Sequence, residues 1–189
     1  MSSLRIVAVC AVWVACSAAP VLRSRRVADV PMPQSIAVLP FTNLSDDPAA
    51  GRVVPSQILT HLVRHAGQRV FDLTANSPEL QTDQTAAELG RAHQVEAVLV
   101  GTVVEYEYIP TSRGAGGGAP SILLHARLVA VADGAVLWRG TASVTSGTLW
   151  SRDRVSLEAL AQEVAAAVVA DLLAPAHLAA AAHSGSAEP

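Results

Sequence analysis

The chain has 189 residues, a formal net charge of −3, 51% hydrophobic residues and only 4% aromatic ones. That apolar content suits a folded body of about one domain and excludes a disordered chain, and the acidic balance leaves no electrostatic footprint for nucleic acid. All 13 basic residues are Arg. Without Lys, a Walker-type phosphate loop, a Ser-Lys dyad and a Lys Schiff base are excluded, because each needs an amine at the reacting point.

Residues 1–15 read as a signal peptide. Arg5 is its only charge, and residues 6–15 are an unbroken apolar run. Such a run matches a signal h-region and is too short for a bilayer span, which takes about 20 residues. Both cysteines, Cys10 and Cys16, lie here, so an internal disulfide of the mature chain is not expected. Cys16 follows Trp13-Val14-Ala15 and precedes Ser17-Ala18-Ala19-Pro20. This resembles a bacterial lipobox, which implies a lipid (palmitate included) on Cys16 and cleavage before it. Ser17, in place of Asp, then favours the outer membrane. The alternative is ordinary cleavage after Ala15, Ala18 or Ala19, with Cys16 incidental. Residues 16–34 carry Arg23, Arg25, Arg26, Pro20, Pro31 and Pro33. They are expected to form an extended tether whose Arg cluster can approach anionic headgroups.

The folded part is expected over 35–173. Residues 35–41 are apolar on both faces, as in a central strand covered on both sides. A turn-rich loop follows at 42–50, then a helix over about 52–66 with Val54, Ile58 and Leu62, together with Leu59 and Val63, on its buried stripe. Pro55 is expected in the first turn and Gly67 at the stop. A second strand covers 69–73. A second helix covers 83–93, capped by Thr82 or Asp83. A third strand covers 96–108. A Gly-rich loop at 109–120 leads into a hairpin of strands 121–131 and 135–145. The last helix spans about 152–173, with Leu157, Leu160, Val164, Val168 and Leu172 on one stripe. Residues 174–189 are expected to be a disordered Ala-rich tail. The order β-α-β-α-β-β-β-α predicts a single α/β domain, a mixed five-stranded sheet with helices packed on it.

The hairpin carries readable register. With a loop of Ala132-Asp133-Gly134 and Gly134 left-handed, Leu128 faces Trp138 and Arg127 faces Arg139. The opposite face then displays His125, Arg127, Arg139 and Thr141, a surface suited to an acidic partner. Two Arg directly across a ladder repel. Glu105 or Glu107, or a docked acidic group, is expected to relieve them.

Other chemistry is weakly signalled. His61 and His65 are spaced i, i+4 but lack an HExxH pattern, and they read as helix-edge residues rather than metal ligands. The glycines at 114–118 join two strands, not a strand to a helix N-terminus, so they do not form a phosphate cradle. Asp46 and Asp47 fit turn and capping roles. Trp150 reads as packing. No catalytic constellation, metal site or cofactor is expected, and the protein is read as not an enzyme.

Three stretches resemble a known group: SIAVLPFTNLSDDPAAG (35–51), AAELGRAHQVEAVLVGTVVEY (86–106) and LHARLVAVADGAVLW (124–138). Together with the final amphipathic helix they resemble the CsgG/TolB-N-terminal/LpoB-like superfamily of bacterial envelope lipoproteins. The resemblance implies a mixed sheet flanked by helices, a place in the cell envelope, and work by protein contact. The connection at 109–120 is short where CsgG-type pores carry long membrane-spanning hairpins. The expected function is therefore a non-catalytic, outer-membrane-anchored periplasmic adaptor or activator. The LpoB resemblance implies a penicillin-binding-protein activator with a peptidoglycan synthase as partner. The alternative is a homo-oligomeric accessory component of a CsgG-like secretion or appendage-assembly system.

Overall fold

The computed structural model describes residues 19–27, 30–75, 77, 82–110, 118–146 and 155–174. The signal peptide, Cys16, Trp150, most of the Gly-rich loop and the C-terminal tail lie outside the described residues. The elements are β1 (Val21–Arg26), β2 (Ser35–Val38), β3 (Thr42–Asn43), α1 (Ala50–His65), β4 (Arg69–Asp72), α2 (Asp83–Ala92), β5 (Ala97–Ile109), β6 (Ala119–Ala130), β7 (Val136–Thr145) and α3 (Leu157–Leu173). They form one mixed α/β domain.

The sheet has seven strands in the order β1-β7-β6-β5-β2-β4, with β3 pairing β5. The five expected strands are present, and two more join them. β3 is a two-residue continuation of the β2 lane, parallel to β5 at Thr102 and Val103. β1 comes from the segment expected to be a tether. Its alternation of exposed and half-buried residues lets it pair antiparallel with β7 along its whole length. Leu22 packs against the core, and Arg26 reaches the C-terminus of α3.

One face of the sheet holds the larger core. Ile36, Val38, Leu99, Leu124, Leu128 and Trp138 meet Val54, Ile58 and Leu62 of α1 and Leu160, Val164 and Leu172 of α3. Each such fully buried side chain contributes about 1.5–3 kcal/mol. The other face carries a smaller core, where Ala37, Leu39, Val98, Val100 and Val129 meet Ala86 and Leu89 of α2. Burial of both faces explains why 35–41 reads as a continuous apolar run. On this second face α2 packs on β5 and β6, and no described helix lies over β7 and β1.

Thr82 caps α2, accepting from the Thr85 N–H, and Ser156 caps α3 by accepting from Ala159 at 3.1 Å. The cap puts the described start of α3 after 156, later than the expected 152. Pro55 lies inside α1, beyond the first turn where it was expected. Lacking an N–H, it leaves the Gly51 carbonyl without its helical donor. That carbonyl instead accepts the Phe41 N–H at 2.9 Å. A Cβ on Gly51 would lie 2.6 Å from the Phe41 oxygen, so glycine permits this approach. α1 ends with Ala66 extended rather than with a left-handed Gly67.

The hairpin pairs Leu128 with Trp138 and Arg127 with Arg139, as its alternation predicts. Gly134 is left-handed, at φ 76°. A bulge then brings Val129 opposite Val136, and Ala130 donates to the Ala135 carbonyl at 2.8 Å. Leu137 is the extra residue on β7, so the turn between Ala130 and Ala135 has four residues, 131–134, in place of the expected three, and Val136 lies outside the core that Trp138 joins.

A candidate partner-binding face

The second face of β6, β7 and β1 is open, and strand register decides what it displays. Arg127, Arg139 and Arg25 stand directly across from one another on three adjacent strands. One step along, Thr102, His125, Thr141 and Arg23 form the next row. The four residues expected on a shared surface, His125, Arg127, Arg139 and Thr141, line one groove of about 470 Å³ with Thr82 and Asp83 of α2.

The Arg ladder is relieved from an unexpected direction. Asp83, in the first turn of α2, pairs with the Arg127 guanidinium. Glu105 is engaged elsewhere, accepting from the Ser121 hydroxyl at 3.2 Å. A side chain 44 residues away in sequence supplies the counter-charge, and hairpin spacing carries no trace of it. The His125 ring and Thr141 hydroxyl lie 2.9 Å apart in hydrogen-bond contact, which ties the imidazole to β7.

Sequence reasoning missed Arg23 and Arg25. Their i, i+2 spacing inside VLRSRR is a strand signal, but the flanking prolines and charges favour a linker reading. The structure gives this face three further cations beyond the Asp83-paired Arg127: Arg23, Arg25 and Arg139. The distal end of β5 has the opposite character. Glu105 lies across from Leu123 and Glu107 from Ser121, on the same open face. Tyr106, pointing to the core side, has its hydroxyl pKa raised by burial first, then by Asp47 and Glu158.

Other singled-out residues have local roles. Asp47 accepts the Ala49 N–H at 2.8 Å, and its carbonyl accepts from Asn43 at 2.7 Å, so it builds the turn into α1. Asp46 is exposed in the same turn. His61 and His65 stack on α1, ring centroids 6.1 Å apart. Burial first, then the neighbouring His65 and Arg64 charges, lower the His61 pKa. Among the described residues no three His, Cys, Asp or Glu side chains cluster as metal ligands. No described helix is long and apolar enough to cross a membrane.

No family model matches the chain, and no curated protein matches it significantly. Solved structures do. The PelC dodecamer from Paraburkholderia phytofirmans is 25% identical with a TM-score of 0.64, over 82% of this chain and 99% of that one. Lipoprotein GNA1162 from Neisseria meningitidis is 27% identical with a TM-score of 0.53, over 74% and 98%. The LpoB C-terminal domain from Salmonella enterica is 14% identical with a TM-score of 0.47, over 62% and 87%, too low to carry an argument. The CsgG part of the sequence resemblance is not shown by these likenesses. They establish that the chain shares its fold with the PelC dodecamer subunit and with a bacterial lipoprotein.

Proposed function

We propose that this protein is a non-catalytic lipoprotein of the bacterial envelope, anchored through Cys16 and working by protein contact as a self-associating accessory subunit of an envelope machine. The observation that carries this reading is the likeness to the PelC dodecamer across 82% of the chain. It favours the oligomeric alternative over the activator reading. Nothing beyond the sequence resemblance supports a peptidoglycan synthase as partner.

The placement of β1 adds a physical constraint. Five residue steps separate Cys16 from Val21. Fully extended they reach at most about 18 Å. A lipid on Cys16 therefore holds the domain close to the bilayer, with no long tether between them. The open face around His125, Arg127, Arg139 and Thr141 is the surface we assign to an acidic envelope partner. The anchor orients it at the membrane.

Labelling with radioactive palmitate in a Gram-negative host, beside Cys16→Ser, tests the reading when combined with membrane fractionation and mass measurement of the detergent-solubilised product. Label on the unsubstituted chain alone, in the outer membrane, with an oligomeric mass is expected. An unlabelled, soluble, monomeric product would overturn it.

A further inference from the structure

Among the described residues three stretches of the sheet have an unpaired side: β1 at one end of the strand order, β4 at the other, and the distal part of β5; β1 and the β5 stretch are of opposite charge. Among the described residues β1 pairs with β7 on one side only. Val27 donates to the Leu137 carbonyl on that side. Because N–H groups alternate along a strand, those of Leu22, Ser24 and Arg26 point away from β7, into the open. The oppositely charged stretch belongs to β5. On the side away from β6, β2 covers Ala97, Val98 and Leu99, and β3 covers Thr102 and Val103. The lane closes where Leu44 donates to the Val103 carbonyl, and no described strand continues it along 104–109. The β1 and β5 stretches are of similar length. One presents Arg23 and Arg25 on the open face of the sheet, and the other presents Glu105 and Glu107 on that same face.

We propose that β1 of one copy adds antiparallel to residues 104–109 of β5 in the next copy, setting Arg23 and Arg25 beside Glu105 and Glu107 and joining the sheets head to tail. This rests on the self-association reading above and names its interface.

Three arguments support a second copy as the occupant. Unpaired edge N–H and C=O groups are templates for strand addition, and here both templates exist on one chain. Charge selects the pairing. β1 against β1 sets Arg on Arg, and the β5 edge against itself sets Glu on Glu, so a two-fold dimer through either edge is disfavoured while the mixed pairing is attractive. Direction also agrees. β5, β6, β7 and β1 are linked by three antiparallel pairings, so β1 runs opposite to β5 within the chain. A head-to-tail repeat by a modest rotation preserves that relation, and β1 arrives antiparallel. Such heterologous contacts close into rings or grow into filaments.

The test uses the full chain extracted in detergent, with mass read by light scattering and folding checked by circular dichroism. The unsubstituted chain is expected to be oligomeric. Arg23→Glu with Arg25→Glu, or Glu105→Arg with Glu107→Arg, should weaken self-association by about tenfold or more. An equimolar mixture of the two double variants should regain the oligomer, because each then offers the edge the other lacks. Ser24→Pro removes an outward N–H without altering charge, and should also dissociate the oligomer. An unsubstituted chain that stays monomeric overturns the self-association reading and this pairing together. An oligomeric chain whose mass is untouched by both charge reversals and by Ser24→Pro overturns the pairing alone.

Discussion

Gln94 adopts left-handed backbone at φ 55°, where α2 ends, so that Val95 can donate back to the Gly90 carbonyl at 3.1 Å. A side chain with a Cβ is strained in that conformation, and glycine is not. Gln94→Gly is expected to raise unfolding stability by about 1 kcal/mol, read as a higher denaturant midpoint with an unchanged slope. His61 behaves oppositely with pH. Its pKa is lowered in the fold, so the unfolded chain binds the proton more readily. Its contribution to stability is therefore intact above the ordinary value near 6.5, falls as the pH drops through it, and levels off below the folded pKa. His61→Gln should flatten the fall in stability as the pH drops through about 6.5. If the profile is unchanged, His61 does not sense its neighbours.

β1 shows how one element is held by a distant one. α3 has no basic residue in its last turn. Arg26 of β1 supplies the cation, donating to the carbonyls of Leu172 and Asp171. Burial lowers the Arg26 pKa and Asp171 opposes that shift, while a guanidinium stays charged at neutral pH. Beside it the Trp138 indole N–H donates to the Asp171 carboxylate at 2.8 Å. Strand, hairpin and helix end thus meet at one polar point on the rim of the core. Arg26→Ala should cost about 1–2 kcal/mol and loosen β1 first. Trypsin cleavage at Arg23 and Arg25 should then speed up before global unfolding does.

At the scale of the whole molecule, β1 moves the start of the domain. A chain beginning at Ser35, the expected boundary, would lose Leu22 from the core and Arg26 from α3, and would expose the β7 edge. It should be at least about 2 kcal/mol less stable than a chain beginning at Ala19, with a lower thermal midpoint and a tendency to aggregate. Equal midpoints for the two chains would mean that β1 is a dispensable strand.

Sequence alone determined what depends on neighbours along the chain. Alternation set the pairing of Leu128 with Trp138 and of Arg127 with Arg139, and helical spacing set the buried stripes of α1 and α3, except that Val63, expected on the α1 stripe, lies at its edge and is 64% exposed. Apolar continuity marked 35–41 as a strand covered on both faces. These follow from periods of 2 and 3.6 residues acting within one element. Tertiary structure decided the rest, because the deciding partners are far apart in sequence. VLRSRR became β1 only because β7 offered an open edge. Pro55 sits inside α1 only because the Phe41 N–H takes up the carbonyl it frees. Arg127 is neutralised by Asp83, not by the nearer Glu105 or Glu107, because α2 brings its N-terminus over β6. The open basic face and its acidic counterpart on β5 exist in no single segment. They arise when register lines up side chains from separate strands.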